Sequence, residues 1–380
     1  MTCILGCAIT WCLLSVAMCS GEERRPRARD LGIPFPGTAG SNNAITDVPG
    51  VEVGYATLNR DSGKSAVRTG VTAILPRGKG SLAPAFAAWS SLNGTGEMTG
   101  THLLDETGVL IGPVMITNTI SVGMVRDASI RWQFELADGR GYRPNPVPVV
   151  AETWDGVLND IMGQHITHSD VFAALNSAAG GPLAEGNVGG GTGMSCFGFK
   201  CGTGTSSRAV DGGYTVGAIV QANHGARERL IIAGIPVGAE LSKSAREATG
   251  ERSQKNSIVV VLASDAPLLP HQLKALAKRA TIGVGRTGGI GEFYSGDLFL
   301  AFSTANGDFR LDRPSVQVRT TTDARLLSKL YEAAAQATEE AIINAMIAAD
   351  TMVGIDGHRS EAIPRDKLRQ VLRQYSRLTR

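Results

Sequence analysis

Residues 251–262 read Glu-Arg-Ser-Gln-Lys-Asn-Ser-Ile-Val-Val-Val-Leu, and this stretch decides the fold. A polar segment, residues 248–256, ends abruptly where a run of aliphatic residues begins after Ser257. Polar segments of this kind form exposed linkers, whereas a short aliphatic run bounded by turn residues predicts a buried strand. The sequence therefore predicts a serine at the first position of a buried strand, directly after an exposed linker.

A serine in this position has the chemistry of an N-terminal nucleophile. Its hydroxyl needs a nearby base, and cleavage of the Asn256–Ser257 bond frees an α-amino group with a pKa of about 7.7 to 8.0 on the same residue. Nucleophile and base are then preassembled. Taken alone, however, Asn-Ser before a strand is typical of a turn and a strand start, so both interpretations stay open at this point.

The composition of the chain excludes several classes of protein. Of its 380 residues, 43% are hydrophobic and 19% charged, which predicts a large buried core and not a disordered polymer. Lys and Arg number 37 against 35 Asp and Glu, and this balance argues against nucleic acid as a partner. The 47 glycines follow no triplet period, which excludes collagen and indicates many tight turns.

The N-terminal residues predict an exported protein. Residues 3–19 carry no charge, and a charged stretch, residues 22–29, follows at once. This order is typical of a signal peptide, to which we assign residues 1–20, and it predicts a periplasmic or secreted protein. No positive residue precedes the apolar run, so a membrane anchor and a mis-assigned start remain alternatives. With a mis-assigned start, we expect a cytoplasmic protein.

The cysteines are concentrated in this leader. Four of the six lie there, which leaves Cys196 and Cys201 in the mature chain. Two cysteines do not make a disulfide framework. A bridge across a tight turn is one possibility in an exported protein, but we favour two free, partly buried thiols.

The remainder of the chain predicts one mixed α/β unit or two tightly joined halves. It alternates strand-like and helix-like segments and contains no repeat of about 20 to 50 residues, which excludes solenoids and propellers. Short β-branched runs between turn residues predict strands at 51–55, 71–76, 108–117, 214–221, 257–262 and 298–303. Apolar or small residues recurring on one face predict helices at 270–280, 323–349 and 365–380.

Two motifs of other functional classes give only weak signals. Gly283-Val-Gly-Arg-Thr-Gly288 has the spacing of a dinucleotide-binding loop, but a helix is predicted before it, where that fingerprint needs a strand. His165, His168 and Asp170 could be drawn as metal ligands, yet histidines so spaced in a polar stretch are more often surface residues. We therefore expect no metal and no organic cofactor.

Blocks of sequence in a fixed order carry a family resemblance. They are RDLGIPF at 29–35, NAITDVPGVEVG at 43–54, VVAETWDG at 149–156, GNVGGGTGM at 186–194, QANHG at 221–225, NSI at 256–258, SGDLF at 295–299 and AFSTAN at 301–306. With these blocks the chain resembles the DmpA-like aminopeptidases, the group of L-aminopeptidase/D-esterases and β-peptidyl aminopeptidases. The resemblance covers about residues 29–350 and leaves out the leader and the C-terminal tail.

The resemblance implies a fold and a processing step. The fold is an αββα four-layer sandwich, similar to that of N-terminal-nucleophile hydrolases but with different strand connectivity. A precursor of this family cleaves itself before the nucleophile, which in this chain falls between Asn256 and Ser257. An α chain of residues 21–256 and a β chain of residues 257–380 would together build one catalytic domain. Because such proteins are generally tetramers, we expect a homotetramer of αβ heterodimers.

The resemblance also implies the roles of the matched residues. Ser257 is the nucleophile that forms an acyl-enzyme, Ser295 and Asp297 assist it, and Asn223 is a side-chain donor to the oxyanion. Relatives often carry Glu where Asp297 stands, so this carboxylate is one methylene shorter. Without the surrounding blocks, Ser295 and Asp297 would be read as a turn, and Asn223 as an Asx turn at a strand end.

Two further residues are assigned to substrate binding. Glu152 is our candidate for pairing with the protonated amine of the substrate, with a capping or core-edge carboxylate as the alternative. Trp154 stands where relatives are expected to carry Tyr, which removes a hydroxyl and puts a second oxyanion contact from that position in doubt. The match assigns no role to His224, although it neighbours Asn223.

The sequence thus predicts an exported, self-cleaving serine aminopeptidase or amidase. Its expected substrates are short peptides, amides or esters with a free amino terminus, and the preference among L-α, D-α and β-amino residues stays open. One alternative is an acyltransferase of the ornithine-acetyltransferase type, which transfers the acyl group to an amine in place of water. Another is an uncleaved, non-catalytic binding protein. We expect neither a nucleic-acid partner nor a membrane partner beyond the leader.

Overall fold

A computed structural model describes residues 25–62, 65–137, 147–243, 256–307 and 317–379. The predicted leader with its four cysteines lies outside these residues, as does the polar linker up to residue 255. Within the described ranges, no helix combines the length and the apolar character needed to cross a membrane.

Two β-sheets form the centre of the molecule. The strands of the described residues are β1 Glu52–Ser62, β2 Ser65–Leu75, β3 Ala85–Gly94, β4 Val109–Leu110, β5 Val114–Asn118, β6 Val149–Thr153, β7 Ser195–Cys196, β8 Phe199–Lys200, β9 Thr203–Val210, β10 Tyr214–Asn223, β11 Ser257–Ser264, β12 Gly296–Ser303, β13 Met352–Val353 and β14 Arg359–Ser360. One sheet has the order β1-β2-β5-β6, and the other has the order β4-β3-β12-β11-β10-β9. Strand β11 therefore lies inside the larger sheet, parallel to β12 and antiparallel to β10.

The helices of the described residues lie around the two sheets. They are α1 Thr101–Thr107, α2 Val122–Leu136, α3 His168–Ser177, α4 Val237–Lys243, α5 Pro270–Lys278, α6 Ala280–Arg286, α7 Ala324–Ile347 and α8 Arg365–Gln374. Helices α2 and α3 pack on the four-stranded sheet, whereas α5 and α7 pack on the six-stranded sheet. The layers run helix, sheet, sheet, helix, so the predicted αββα sandwich is confirmed.

The burial of β11 on both faces explains its continuous aliphatic run. Val259 and Val261 point into the apolar layer between the two sheets, while Ile258 and Val260 point into the layer beneath α5 and α7. Successive side chains of a strand alternate between its faces, so a strand covered on both sides needs apolar residues at every position. Burying each such side chain contributes roughly 1.5–3 kcal/mol to folding.

Helix α7 matches its prediction closely. Asp323 caps its first turn by accepting a hydrogen bond from the Arg325 N–H at 2.8 Å. Small residues along one face let the helix approach the sheet: a Cβ on Gly204 of β9 would lie 2.0 Å from the carbonyl oxygen of Ala341. The predicted C-terminal helix is also present, as α8, with Leu368 buried against the core.

The prediction of one strand over residues 108–117 was wrong. The segment is broken at Gly112, which has a φ of +79°, and yields β4 and β5 in different sheets. Gly112 also packs against Gln133, because a Cβ on it would lie 2.4 Å from the Gln133 side chain. The segment thus crosses between the two sheets.

The prediction of free thiols was also wrong. Cys196 and Cys201 form a disulfide across the β7–β8 hairpin, and both are fully buried. The turn of the hairpin uses positive φ at Phe197 and Gly198, and it brings the two cysteine Cα atoms to 5.4 Å, within the usual range for a bridge.

Candidate active site

Three adjacent strands of the larger sheet bring the predicted site residues together. Ser257, the first residue of β11, is the register partner of Asn223 at the end of β10 and of Gly296 at the start of β12. Ser295 and Asp297 flank Gly296 in the chain. Because β10 runs antiparallel to β11 and β12, its C-terminal end meets their N-terminal ends at one edge of the sheet. The predicted nucleophile, oxyanion donor and Ser–Asp pair are therefore all buried at one place.

The hydroxyl of Ser257 lies against the peptide bond that precedes it. Ser257 Oγ donates to the carbonyl oxygen of Asn256 at 2.6 Å and accepts from the Gly296 N–H at 3.2 Å. The same Gly296 N–H lies 3.3 Å from the Asn256 carbonyl oxygen. Glycine is needed there because a Cβ on Gly296 would lie 2.6 Å from the Cα of Gly96. The Gly296 N–H can thus stabilise negative charge on an oxygen bound at this point.

Ser295 and Asp297 form a buried hydrogen-bonded pair beside Ser257. Ser295 Oγ donates to Asp297 Oδ1 at 2.5 Å, and the backbone N–H of Ile258 donates to the same carboxylate. Burial raises the pKa of Asp297, and these two hydrogen bonds only partly oppose that effect. A carboxylate in this state accepts a proton more readily than one in water.

The amide of Asn223 is held in one orientation. Its Oδ1 accepts from the Ser195 N–H at 3.0 Å, and its Nδ2 donates to the Trp154 carbonyl oxygen at 3.0 Å. These two contacts fix the side-chain amide at the end of β10, next to Ser257. The oxyanion role of Asn223 stays a prediction.

A disulfide-linked hairpin lies behind Asn223. Ser195 begins this hairpin, which the Cys196–Cys201 bridge closes. The buried Lys200 joins its ends, because Nζ donates to the Met194 carbonyl at 2.8 Å and to the Cys201 carbonyl at 2.6 Å. Burial lowers the pKa of Lys200 to about 7. The Ser195 N–H, which orients Asn223, therefore belongs to a hairpin that is restrained both by the disulfide and by the hydrogen bonds of Lys200.

Glu152 and Trp154 approach the site from the smaller sheet. Glu152 Oε1 accepts from the Glu97 N–H at 3.0 Å, and Oε2 accepts from the Thr119 hydroxyl. Glu97 follows Gly96, whose Cα is the atom packed on Gly296, so Glu152 is connected to Ser257 through a short chain of contacts. Trp154 lies beside Asn223, to which it contributes its carbonyl oxygen.

His224 is unsuited to acid–base chemistry at neutral pH. Burial lowers its pKa to about 3, so the ring stays neutral. Neither ring nitrogen has a hydrogen-bond partner among the described residues, and the ring packs edge-on against Phe197 at 5.0 Å. Although His224 follows Asn223 in the sequence, we assign it no role as an acid or a base.

The histidines considered as metal ligands do not converge. His165 pairs with Asp160 at 3.0 Å, His168 pairs with Asp127 at 2.9 Å, and Asp170 caps α3 by accepting from the Thr167 N–H. In the part of the chain that the structure describes, no three His, Cys, Asp or Glu side chains are grouped so as to hold a metal ion.

Sequence reasoning missed two charged residues near Asn256. Glu292 accepts a hydrogen bond from the side chain of Asn256 and forms an ion pair with Arg229. Arg229 ends a short 3-10 helix and Glu292 lies in a loop, and both are outside the sequence blocks that carry the family resemblance. Glu292 precedes Ser295 by one turn, which is the signal that could have drawn attention to it.

Known proteins are similar to this chain in sequence and in fold. The profile of peptidase family S58 matches residues 43–360. The β-peptidyl aminopeptidase BapA of Sphingosinicella microcystinivorans is 52% identical over 372 residues, which cover 93% of each chain.

Two solved structures superpose closely. The L-aminopeptidase D-Ala-esterase/amidase of Ochrobactrum anthropi, described as a prototype of the serine aminopeptidases and a new variant of the Ntn-hydrolase fold, has a TM-score of 0.86 and 49% identity over 93% of this chain and 100% of its own. A β-aminopeptidase of a Burkholderia species has a TM-score of 0.83 and 48% identity over 92% and 99% of the two chains. The predicted family resemblance and fold class are confirmed.

Proposed function

The chain belongs to peptidase family S58 and is an aminopeptidase, and we propose on that premise that it cleaves itself between Asn256 and Ser257 and then uses Ser257 as its nucleophile. The proposed substrates are short peptides, amino-acid amides and esters with a free amino terminus. The names of the similar β-peptidyl aminopeptidase and L-aminopeptidase D-Ala-esterase/amidase support this class. The observation that carries the proposal is the 2.6 Å contact between Ser257 Oγ and the Asn256 carbonyl oxygen.

Self-cleavage begins when Ser257 Oγ adds to the carbonyl carbon of Asn256. The carbon–nitrogen bond between the two residues then breaks, the hydroxyl proton passes to the departing nitrogen, and an ester joins Asn256 to Ser257 Oγ. Water hydrolyses this ester, which leaves a carboxylate on Asn256 and restores the hydroxyl of Ser257. The Gly296 N–H, 3.3 Å from the Asn256 carbonyl oxygen, is the donor for the charge that develops there.

Turnover repeats this chemistry on a bound substrate. The freed α-amino group of Ser257 takes the hydroxyl proton while Oγ attacks the substrate carbonyl, and the leaving amine or alcohol takes that proton as the acyl-enzyme forms. Water then releases the acyl group. Asn223 Nδ2 and the Gly296 N–H stabilise the oxyanion, and one such contact contributes about 3 kcal/mol to catalysis. We assign the Ser295–Asp297 pair to orienting the amino group and accepting its excess proton.

Glu152 is proposed to recognise the amino terminus of the substrate. Its carboxylate is buried, and the Glu97 N–H and the Thr119 hydroxyl fix its orientation. An ion pair with an ammonium group is strong in such a site because water screens it poorly. Trp154 is proposed to shape the pocket next to it.

Export and assembly are part of the proposal. The uncharged segment of residues 3–19 supports a signal peptide, and the Cys196–Cys201 disulfide supports an oxidising compartment such as the periplasm. Phe293 and Tyr294 are 80% and 67% exposed beside the site, and exposed apolar side chains of this kind support the proposed homotetramer of αβ heterodimers.

Denaturing electrophoresis with mass spectrometry of the purified protein tests the proposal. We expect a fragment whose first residue is Ser257, and we expect Ser257→Ala to abolish both this fragment and the hydrolysis of amino-acid p-nitroanilides. Ser264→Ala, at the other end of β11, is the matched control and should leave the fragment in place. A folded, active protein that remains one intact chain would refute self-cleavage. Preferential transfer of the acyl group to an added amine would favour the acyltransferase alternative.

A further inference from the structure

The ion pair of Glu292 and Arg229 contacts Asn256, the residue before the proposed scissile bond. One carboxylate oxygen of Glu292 accepts from Asn256 Nδ2, and the other pairs with the guanidinium of Arg229. We propose that Arg229 and Glu292 are positioning residues for self-cleavage, which hold Asn256 so that its carbonyl faces Ser257 Oγ. This inference rests on the proposed function and concerns the precursor, not the attack on substrate.

Glu292 is fixed to the same turn that carries the Ser–Asp pair. Its carbonyl oxygen accepts from the Ser295 N–H at 2.8 Å and also from the side chain of Asn93. Because the backbone of Glu292 is held in the turn, its side chain can restrain Asn256 from a fixed position. The carboxylate cross-links the scissile segment to the loop that leads into β12.

Arg229 is held against the same loop. The N–H of Ile231 donates to the Thr287 carbonyl at 3.0 Å, and Gly288, with a φ of +99°, packs directly on the backbone of Arg229. The Arg229 and Glu292 side chains are 33% and 28% exposed, so the pair is partly shielded from water. With one oxygen paired to Arg229, the other oxygen is aimed at Asn256.

Asn256 needs such an anchor because it lies before the first residue of β11. The ladder with β10 begins at Ser257, so rotation of the preceding peptide group is restrained instead by the contacts of its carbonyl oxygen with the Gly296 N–H at 3.3 Å and with Ser257 Oγ at 2.6 Å. That rotation decides whether the carbonyl carbon of Asn256 faces Oγ. A misplacement of about 1 Å at a reacting centre can slow a reaction by about 100-fold. A charge-assisted hydrogen bond to the Asn256 side chain restricts this rotation.

The rate of self-cleavage of the full chain tests the inference. Radiolabelled precursor is made in a cell-free system, and its conversion is followed by electrophoresis during a chase. We expect Glu292→Ala and Asn256→Ala each to slow conversion by about tenfold or more, because each removes the hydrogen bond to a charged acceptor. Glu292→Gln should be intermediate, since its amide oxygen still accepts from Asn256.

A double variant separates a shared role from two independent ones. Glu292→Ala combined with Asn256→Ala should be no slower than the slower single variant, because both remove the same contact. The matched control is Glu339→Ala, which breaks the 3.2 Å ion pair with Arg286 elsewhere on the surface and should convert at the parent rate.

The outcomes distinguish this inference from the proposed function. If the parent is cleaved before Ser257 and both single variants convert at the parent rate, the positioning role is wrong while the proposed function stands. Additive slowing in the double variant would also overturn the inference. A parent that is never cleaved would refute the proposed function itself. If Glu292→Ala does not fold, as judged by protease resistance, Asn256→Ala decides with the same expected slowing.

Discussion

Ser257 and Asn223 are register partners at the ends of two adjacent antiparallel strands. The distance between the nucleophile and the proposed oxyanion donor is therefore set by backbone pairing and not by flexible loops. The ladder also crosses the proposed cleavage point in the chain, because Asn223 precedes the scissile bond and Ser257 follows it. Main-chain pairing would hold the two parts of the site together after the bond is cut.

Asn223→Ala is expected to slow turnover far more than it weakens binding. It removes the Nδ2 donor, and loss of one oxyanion donor costs about 100- to 1,000-fold in kcat. Initial rates on an amino-acid p-nitroanilide, measured on fully processed protein, check this. Asn59→Ala, an exposed asparagine on β1, is the control. Equal rates for the two variants would remove Asn223 from the reaction.

Asp297→Asn should slow acylation by about 100- to 10,000-fold, the usual contribution of a positioned acid–base group. It should also change how stability depends on pH. Burial raises the pKa of Asp297 above 3.8, so ionising it in the folded state is unfavourable. The stability that Asp297 contributes is complete below pH 3.8 and is lost as the pH rises through its raised folded pKa.

Thermal unfolding of the parent and of Asp297→Asn across this range tests both statements. The difference in Tm should shift in favour of the variant as the pH rises, since the variant carries no ionisable group there. A pH-independent difference, or unchanged kinetics, would make Asp297 a structural turn residue.

Glu152→Gln should raise KM for substrates that carry a free amino terminus. The variant keeps the shape of the side chain but loses the negative charge that pairs with the ammonium group, and hydrogen bonds to charged groups contribute about 1.5–3 kcal/mol. We therefore expect a rise in KM of about tenfold or more. An ester without an amino group should be hydrolysed as by the parent. Glu97→Gln is the control, because the hydrogen bond from Glu97 to Glu152 comes from the Glu97 backbone N–H, which the substitution keeps.

The fold was most predictable where burial leaves a simple pattern. Strand β11 is covered on both faces and reads as an unbroken aliphatic run. Strand β9 was missed because it is rich in small polar residues. Thr205 donates to the Ala218 carbonyl at 2.7 Å and Ser206 to the Ala337 carbonyl at 2.6 Å. These hydrogen bonds make polar side chains compatible with burial, and the one from Ser206 depends on the close approach of α7, which local sequence does not reveal.

The sequence predicted the residues of the candidate site that lie in motifs, but not the contacts between segments that are distant in the chain. Family blocks predicted Ser257 and Asn223, and strand pairing places them side by side. The contact of Glu292 with Arg229 joins two segments that lie far apart in the chain and that no local pattern relates. The disulfide was misjudged for a similar reason, since the spacing of Cys196 and Cys201 does not reveal the positive φ values of the turn between them.

Lys200→Met removes the buried lysine that links the ends of the hairpin behind Asn223. The pH dependence of the resulting change in the free energy of unfolding tests the role of this lysine. Burial lowers the pKa of Lys200 from 10.5 to about 7, so the folded protein disfavours its charged form. The stability that the neutral lysine contributes is complete above pH 10.5 and is lost as the pH falls through about 7. Loss of the two hydrogen bonds from Lys200 to carbonyl oxygens also lowers the free energy of unfolding of the variant, by an amount that is nearly the same at every pH.

The free energy of unfolding of parent and variant, measured by urea titration from pH 10.5 down to pH 6, isolates this effect from that pH-independent loss. The parent should lose stability relative to Lys200→Met as the pH falls. A tenfold change in proton affinity corresponds to about 1.4 kcal/mol, so the change over this range should reach several kcal/mol. A difference in the free energy of unfolding that does not change with pH would contradict this prediction. It would mean that Lys200 binds its proton as strongly in the folded protein as in water and is charged in the hairpin.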